Sequence, residues 1–78
     1  MSTAVTSVQP LPDYQLLLTF ETGEKRRFDV TPYLGRGMFV QLTDVRLFNT
    51  VHVSFDTVEW SNGVDICPEV LYEGSVAV

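Results

Sequence analysis

An alternating strand that runs into a glycine turn constrains this fold more than any other feature. Along Tyr14–Phe20 every second side chain is apolar, which is the pattern of a β-strand with one buried face. Leu17 makes the opposite face partly apolar as well, which favours a central strand. Lys25–Val30 follows within reach and is predicted to be the hairpin partner.

The loop between these strands sets which side chains face each other. A two-residue loop at 22–23 and a three-residue loop at 21–23 differ by one residue in register. Only the longer loop sets Leu16 opposite Phe28 and places Gly23 where a positive φ is needed. We predict the three-residue loop, because a one-residue slip would turn every side chain to the wrong face.

A second hairpin is predicted in the second half of the chain. Val51–Phe55 alternates, which predicts that Val51, Val53 and Phe55 point inward. A turn at 56–57 would pair Phe55 with Val58 and keep the apolar face whole. Asn62-Gly63 is a strong turn signal, and a brief strand is expected at 64–66.

Short elements fill the remaining chain. A first strand is expected at Val5–Gln9, ended by Pro10, and helical turns are expected wherever proline or a capping residue precedes an apolar run. The predicted turns begin at Thr31–Pro32, lie within Phe39–Asn49, and cover Pro68–Glu73 before Gly74.

Together these elements predict a small α+β fold, with an antiparallel or mixed sheet of about five strands and two or three short helices. Length allows one domain over residues 1–78, with loose tails at 1–4 and 75–78. Cys67 is the only cysteine, so no internal disulfide forms. The start lacks the basic and apolar regions of a signal peptide and no apolar run spans a membrane, which predicts a cytoplasmic protein.

The net charge of −5 is confined to the second half. Residues 1–39 carry four acidic and four basic side chains, whereas residues 40–78 carry six acidic side chains and only Arg46. Nucleic acid is therefore an unsuitable partner, because neutralising phosphates requires a basic surface. A basic protein partner fits this distribution.

Two segments share a pattern. Phe20-x-x-Gly23 leads to Asp29-Val30-x-Pro32, and Trp60-x-x-Gly63 leads to Asp65-Ile66-x-Pro68. The structural interpretation is that a strand ends, an aspartate satisfies free N–H groups, and proline opens a helical turn. The functional alternative is that the two aspartates form a carboxylate pair for metal or acid–base work.

Other candidate groups are weaker. His52, Ser54, Glu59 and Ser61 are predicted to share the outward face of the second hairpin, with His52 opposite Ser61 and Ser54 opposite Glu59. No oxyanion site accompanies them, so a polar sheet face is favoured. Cys67 has no basic neighbour to activate it and is predicted to be a small packed residue.

Three segments in order carry a resemblance to a known family. They are "dYxLxLxFexGexrxfDvxPyL" at Tyr14–Leu34, "gxFxxLxDxxxFnxV" at Gly37–Val51 and "vxWxnGxDixPexLY" at Val58–Tyr72. The chain thus resembles the small bacterial domains classed as domain of unknown function 2442. The resemblance implies a small α+β fold and no established activity. It also implies free-standing small proteins, some linked by association to toxin–antitoxin-like pairs.

We predict a non-enzymatic protein-interaction module, antitoxin-like or an adaptor, whose acidic half meets a basic protein. The alternative is a small enzyme or metal-binding protein that uses Asp29, Asp65 and His52. We assign no catalytic residue, cofactor or metal ligand, no nucleic-acid or membrane partner, and leave a homo-oligomer open. The predicted partner contacts are Asp56, Glu59, Trp60, Asp65, Glu69, Tyr72 and Glu73.

Overall fold

The computed structural model describes residues 3–78, which form two antiparallel sheets and short helices. The four-stranded sheet has the order β1 (Val5–Leu11), β2 (Gln15–Phe20), β3 (Lys25–Asp29), β7 (Val76–Ala77). The three-stranded sheet has the order β4 (His52–Ser54), β5 (Thr57–Glu59), β6 (Asp65–Ile66). The helices are α1 (Val45–Phe48), α2 (Pro68–Gly74) and 3₁₀ segments at Pro12–Tyr14, Thr31–Tyr33 and Gly37–Thr43. The predicted α+β class is confirmed.

The β2–β3 hairpin has the predicted register. Leu16 pairs with Phe28, and β2 lies between β1 and β3 as a central strand. The N–H of Phe20 donates to the carbonyl of Glu24 at 2.9 Å, which closes a three-residue loop. Gly23 has φ +89°, a conformation that a side chain would strain.

Strand β1 is longer than expected, since it continues through Pro10 to Leu11 instead of ending at Pro10. Pro10 pairs with Leu16 of β2. A proline is tolerated here because β1 is at the edge of its sheet, where a missing N–H breaks no second ladder.

The core lies between the two sheets and α1. Fourteen apolar side chains are buried within the described chain, and Trp60 is fully buried among them. Its Nε1–H donates to the Phe48 carbonyl at 2.9 Å, which joins β5 to α1. Tyr14 joins the first sheet to the same helix: its ring packs edge-on against Phe48, and its hydroxyl donates to the Thr43 carbonyl at 2.6 Å.

The predicted loose tail at 75–78 is wrong. Val76–Ala77 forms β7 against β3, and Ser75 is buried. The reason is Arg26, whose guanidinium donates to the hydroxyl and to the carbonyl of Ser75, each at 2.7 Å. The other predicted tail is 1–4. Residues 1–2 lie outside the described residues, and Ala4 is held by its carbonyl, which accepts a hydrogen bond from the Glu21 N–H.

The second hairpin exists, but its predicted register is wrong. The turn is at Phe55–Asp56, so Val53 pairs with Val58 and Phe55 is in the loop. Both turn residues have positive φ, +48° and +69°, the geometry that matches the twist of two-residue hairpins. As a result Phe55 is 98% exposed and Val53 is 37% exposed, where both were expected inward.

Among residues 3–78, no helix has the length and apolarity needed to cross a bilayer.

Candidate functional site

The acidic side chains of residues 51–78 lie on the three-stranded sheet, at the tip of its hairpin and on α2. Residues 51–78 contain five acidic side chains and no lysine or arginine, whereas residues 1–50 contain five of each sign. Asp56, Asp65, Glu69 and Glu73 are exposed, and Glu59 is half-buried. The whole net charge therefore lies in one contiguous stretch of chain.

A row of three titratable side chains crosses this sheet. Glu59 pairs with His52 on one side and with Asp65 on the other. Directly paired residues share a face of the sheet, and this is the face opposite buried Val58 and Ile66. The His52 Nε2 atom lies 3.5 Å from Oε1 of Glu59.

This row corrects the predicted arrangement of the same face. His52 was expected opposite Ser61, and Ser54 opposite Glu59. Because the turn is one residue earlier than predicted, His52 takes the place opposite Glu59, and Ser54 pairs with Thr57.

Phe55 is at the tip of the same hairpin. A bulky residue at positive φ is uncommon and typically costs of order 1–3 kcal/mol, so the surrounding structure must hold it there. One such restraint is the hydrogen bond from the Val5 N–H to the Asp56 carbonyl, at 2.8 Å. The turn thus displays an aromatic ring to solvent from a backbone that is anchored to β1.

The seven predicted contact residues do not form one surface. Asp56, Glu59 and Asp65 are carried by the β4–β6 sheet and its tip, and Glu69 and Glu73 are carried by α2. Trp60 has no exposed surface and leaves the set, because its indole is committed to the core. Phe55 was missed, since its alternation with Val51 and Val53 indicated an inward position.

Tyr72, the remaining predicted contact, is half-buried in a polar cluster that holds the C-terminal strand. Its hydroxyl donates to Oε1 of Glu24 at 2.9 Å, and Arg26 lies over its ring, 4.4 Å from the centroid. The hydrogen bonds from Arg26 and Tyr72 lower the pKa of Glu24, and the bond to Glu24 raises the pKa of Tyr72. Tyr72 therefore has a structural role that its sequence position does not reveal.

Cys67 is exposed, not packed as predicted. It precedes Pro68 at the start of α2, and its Sγ donates to Oε2 of Glu69 at 3.0 Å. That hydrogen bond lowers the pKa of Glu69.

The two aspartates of the repeated pattern behave differently. Asp29 accepts hydrogen bonds from the N–H and the hydroxyl of Thr31, at 2.9 and 2.7 Å, which confirms its predicted role at the start of a helical turn. Asp65 makes no such contact within residues 3–78 and lies in the other sheet. No group of three His, Cys, Asp or Glu side chains in the described chain is placed to hold a metal ion.

These features define a small α+β protein with one acidic half and an aromatic tip. The family described as "Protein of unknown function (DUF2442)" matches residues 5–77, nearly the full length, and the chain belongs to that family. No curated protein and no solved structure matches the chain.

Proposed function

We propose that this protein is a non-enzymatic binding module that recognises a basic protein. The observation that carries the proposal is Phe55, a nearly fully exposed aromatic side chain beside an acidic surface. Within residues 3–78, no lysine or arginine forms an ion pair with the carboxylates of that surface. The acidic surface comprises Asp56, Glu59 and Asp65, and the proposed interface is this surface together with Phe55.

Each part of the interface has a distinct physical task. Aromatic side chains dominate the binding energy of protein interfaces, and burying a phenylalanine is worth about 1.5–3 kcal/mol. Carboxylates contribute mainly to the association rate and to the choice of partner, through long-range attraction. The turn holds Phe55 in one backbone conformation, so little ordering cost remains to be met on binding.

The proposed biological role is that of an adaptor or an antitoxin-like component in the cytoplasm. An acidic face of this kind would cover a basic surface on its partner. Exposed Cys67, a free thiol, suits a reducing compartment.

The test compares variants in a pull-down from host lysate at low and high salt. The first variant is Phe55→Ser, and the second combines Asp56→Asn, Glu59→Gln and Asp65→Asn. Asparagine tolerates positive φ, so the turn at 56 is preserved. The matched control is Val76→Ser, which removes an exposed apolar side chain from β7 in the other sheet.

Support requires a basic protein that the wild type and the control retain, that both interface variants lose, and that high salt releases. The purified pair should then bind in calorimetry with the same ranking. Equal retention of the partner by the wild type, the control and both interface variants would contradict the proposal. If the retained species were a second copy of this chain, the surface would be a self-association interface instead.

A further inference from the structure

A cleft of about 370 Å³ lies between the end of β1, the 3₁₀ turn that follows it, and α1. This volume is within the range of small-molecule sites, about 300–1,000 Å³. The lining residues are Pro10, Leu11, Pro12, Asp13, Tyr14, Val45, Phe48 and Asn49.

The walls of the cleft are apolar and partly open. Val45 is 56% exposed, although Phe48 of the same helix is buried in the core. Leu11 and Tyr14 are half-buried on the opposite wall. An apolar group placed between them would remove surface that now faces water.

Two polar side chains line the same cleft and are uncommitted. Neither the carboxylate of Asp13 nor the side-chain amide of Asn49 makes a hydrogen bond within residues 3–78, and no basic side chain lines the cleft. A carboxylate and an amide carbonyl both accept hydrogen bonds, and only the carboxylate carries charge. Their chemistry therefore suits a cationic donor.

The backbone here is strained and fixed. Asp13 and Tyr14 have φ of +63° and +60° in succession, which is uncommon for an aspartate and more so for a tyrosine. Pro12, immediately before them, has its φ fixed by its ring, and the hydroxyl of Tyr14 donates a hydrogen bond to the Thr43 carbonyl. Strain of this kind concentrates at ligand sites, where it preforms the binding geometry.

We propose that this cleft binds a small molecule with a protonated amine on an apolar body. The amine meets the carboxylate of Asp13 and the carbonyl oxygen of Asn49, and the apolar body lies against Leu11, Val45 and Tyr14.

This site is separate from the proposed protein interface. Asp56 is bonded to Val5 at one end of β1, whereas the cleft begins at Pro10–Leu11 at the other end. At about 3.3 Å per residue, the two ends of β1 are about 20 Å apart. Loss of one function therefore need not affect the other.

The test is an NMR titration of the full chain with benzylamine and with benzyl alcohol, its neutral counterpart. Benzylamine should shift the amides of residues 11–14 and 45–49 saturably, and bind at least about fivefold tighter than the alcohol at low salt. Asp13→Asn, which tolerates the same φ, should bring the amine to the level of the alcohol. The matched control Glu73→Gln, an exposed carboxylate on α2 outside the cleft and the proposed interface, should leave both unchanged.

Val45→Ser should weaken the amine and the alcohol by similar factors, because both share the apolar body. Shifts spread over the acidic sheet, or equal binding of amine and alcohol, would overturn the proposal. Tighter binding of Nα-acetyl-lysine amide than of benzylamine would overturn the small-molecule assignment in favour of a protein lysine.

Discussion

The β2–β3 hairpin buries the apolar side chains of its inner face, whereas the β4–β5 hairpin buries Val58 and exposes Phe55. In β2–β3 the loop contains glycine, and Leu16 and Leu18 are fully buried. In β4–β5 the loop is Phe55–Asp56, and the aromatic ring is in solvent. The first hairpin contributes mainly to the core, whereas the second contributes Val58 to the core and displays Phe55 on a strained turn.

The loop, and not the strand pattern, determined the register of each hairpin. Gly23 indicated where the first loop lies, because glycine is the residue that most easily adopts a positive φ. The same geometry recurs at Gly63: both glycines have φ +89°, and the N–H of each donates to the carbonyl of the aromatic residue three positions earlier. Phe55–Asp56 does not indicate a turn in the sequence, because phenylalanine rarely adopts a positive φ.

The largest expected difference between the hairpins is in core stability. Leu18→Ala should lower the free energy of unfolding by about 2–5 kcal/mol, because it leaves a cavity in a buried strand. Phe55→Ala should change it by no more than about 0.5 kcal/mol, since the side chain is 98% exposed. Urea unfolding measures both, and comparable losses would mean that Phe55 belongs to the core.

The two glycine turns are expected to respond alike. Gly23→Ala and Gly63→Ala should each cost about 1–2 kcal/mol, because both have φ +89° and a new Cβ meets no atom within 4 Å, which leaves backbone strain as the only cost. Gly35→Ala is the control: its φ is not positive and its surroundings are open, so we expect no loss. Thermal unfolding of the three variants checks this, and unequal costs at 23 and 63 would show that the turns are not equivalent.

Giving the β4–β5 turn residues that prefer positive φ should stabilise the protein and abolish binding of the proposed protein partner. Replacing Phe55 by Asn and Asp56 by Gly gives the preferred residues for this turn and should add about 0.5–1 kcal/mol of stability. For a domain of this size, that corresponds to a rise in Tm of about 2–8 °C. A lower Tm would show that Phe55 contributes to the fold, and retained partner binding would remove it from the proposed interface.

The smallest expected effect lies in the polar cluster that ties β3 to the C-terminal strand. The pKa of Glu24 is lowered in the folded state, so its contribution to stability is present above its ordinary value of 4.5 and is lost as pH falls through the lowered value. Glu24→Gln should therefore be less stable than wild type at pH 7 and converge with it in acid. Chemical unfolding across pH 2–7 measures the difference.

The matched control for that series is Glu73→Gln, an exposed residue of the same type on α2. Tyr72 behaves in the opposite sense, because its pKa is raised in the folded state. The contribution of its hydroxyl to folding stability is present below pH 10 and is lost as pH rises through the raised pKa. A constant offset between wild type and Glu24→Gln at every pH would contradict the role given to the carboxylate.

Much of the fold was predictable from local signals. The alternation of apolar residues predicted β2, and Gly23 predicted the register of β2 with β3. Pro68 and Gly74 predicted the ends of α2, and Asp44 is a typical capping residue, which begins α1 by accepting a hydrogen bond from the Arg46 N–H. The acidic half and most of its exposed carboxylates followed from composition alone. These features depend on one residue and its near neighbours, which a sequence records directly.

Most of the elements, the first hairpin and the sign of the surface charge could be predicted from the sequence, because periodicity, glycine at positive φ and side-chain ionisation are local properties. Three features became evident only in the tertiary structure: Trp60 is buried, Phe55 is exposed, and the C-terminal residues pair with β3. Each of these depends on a partner distant in the chain: the Phe48 carbonyl, the N–H of Val5 and the guanidinium of Arg26. Contacts of this kind arise when strands close over a shared core, and no single segment encodes them.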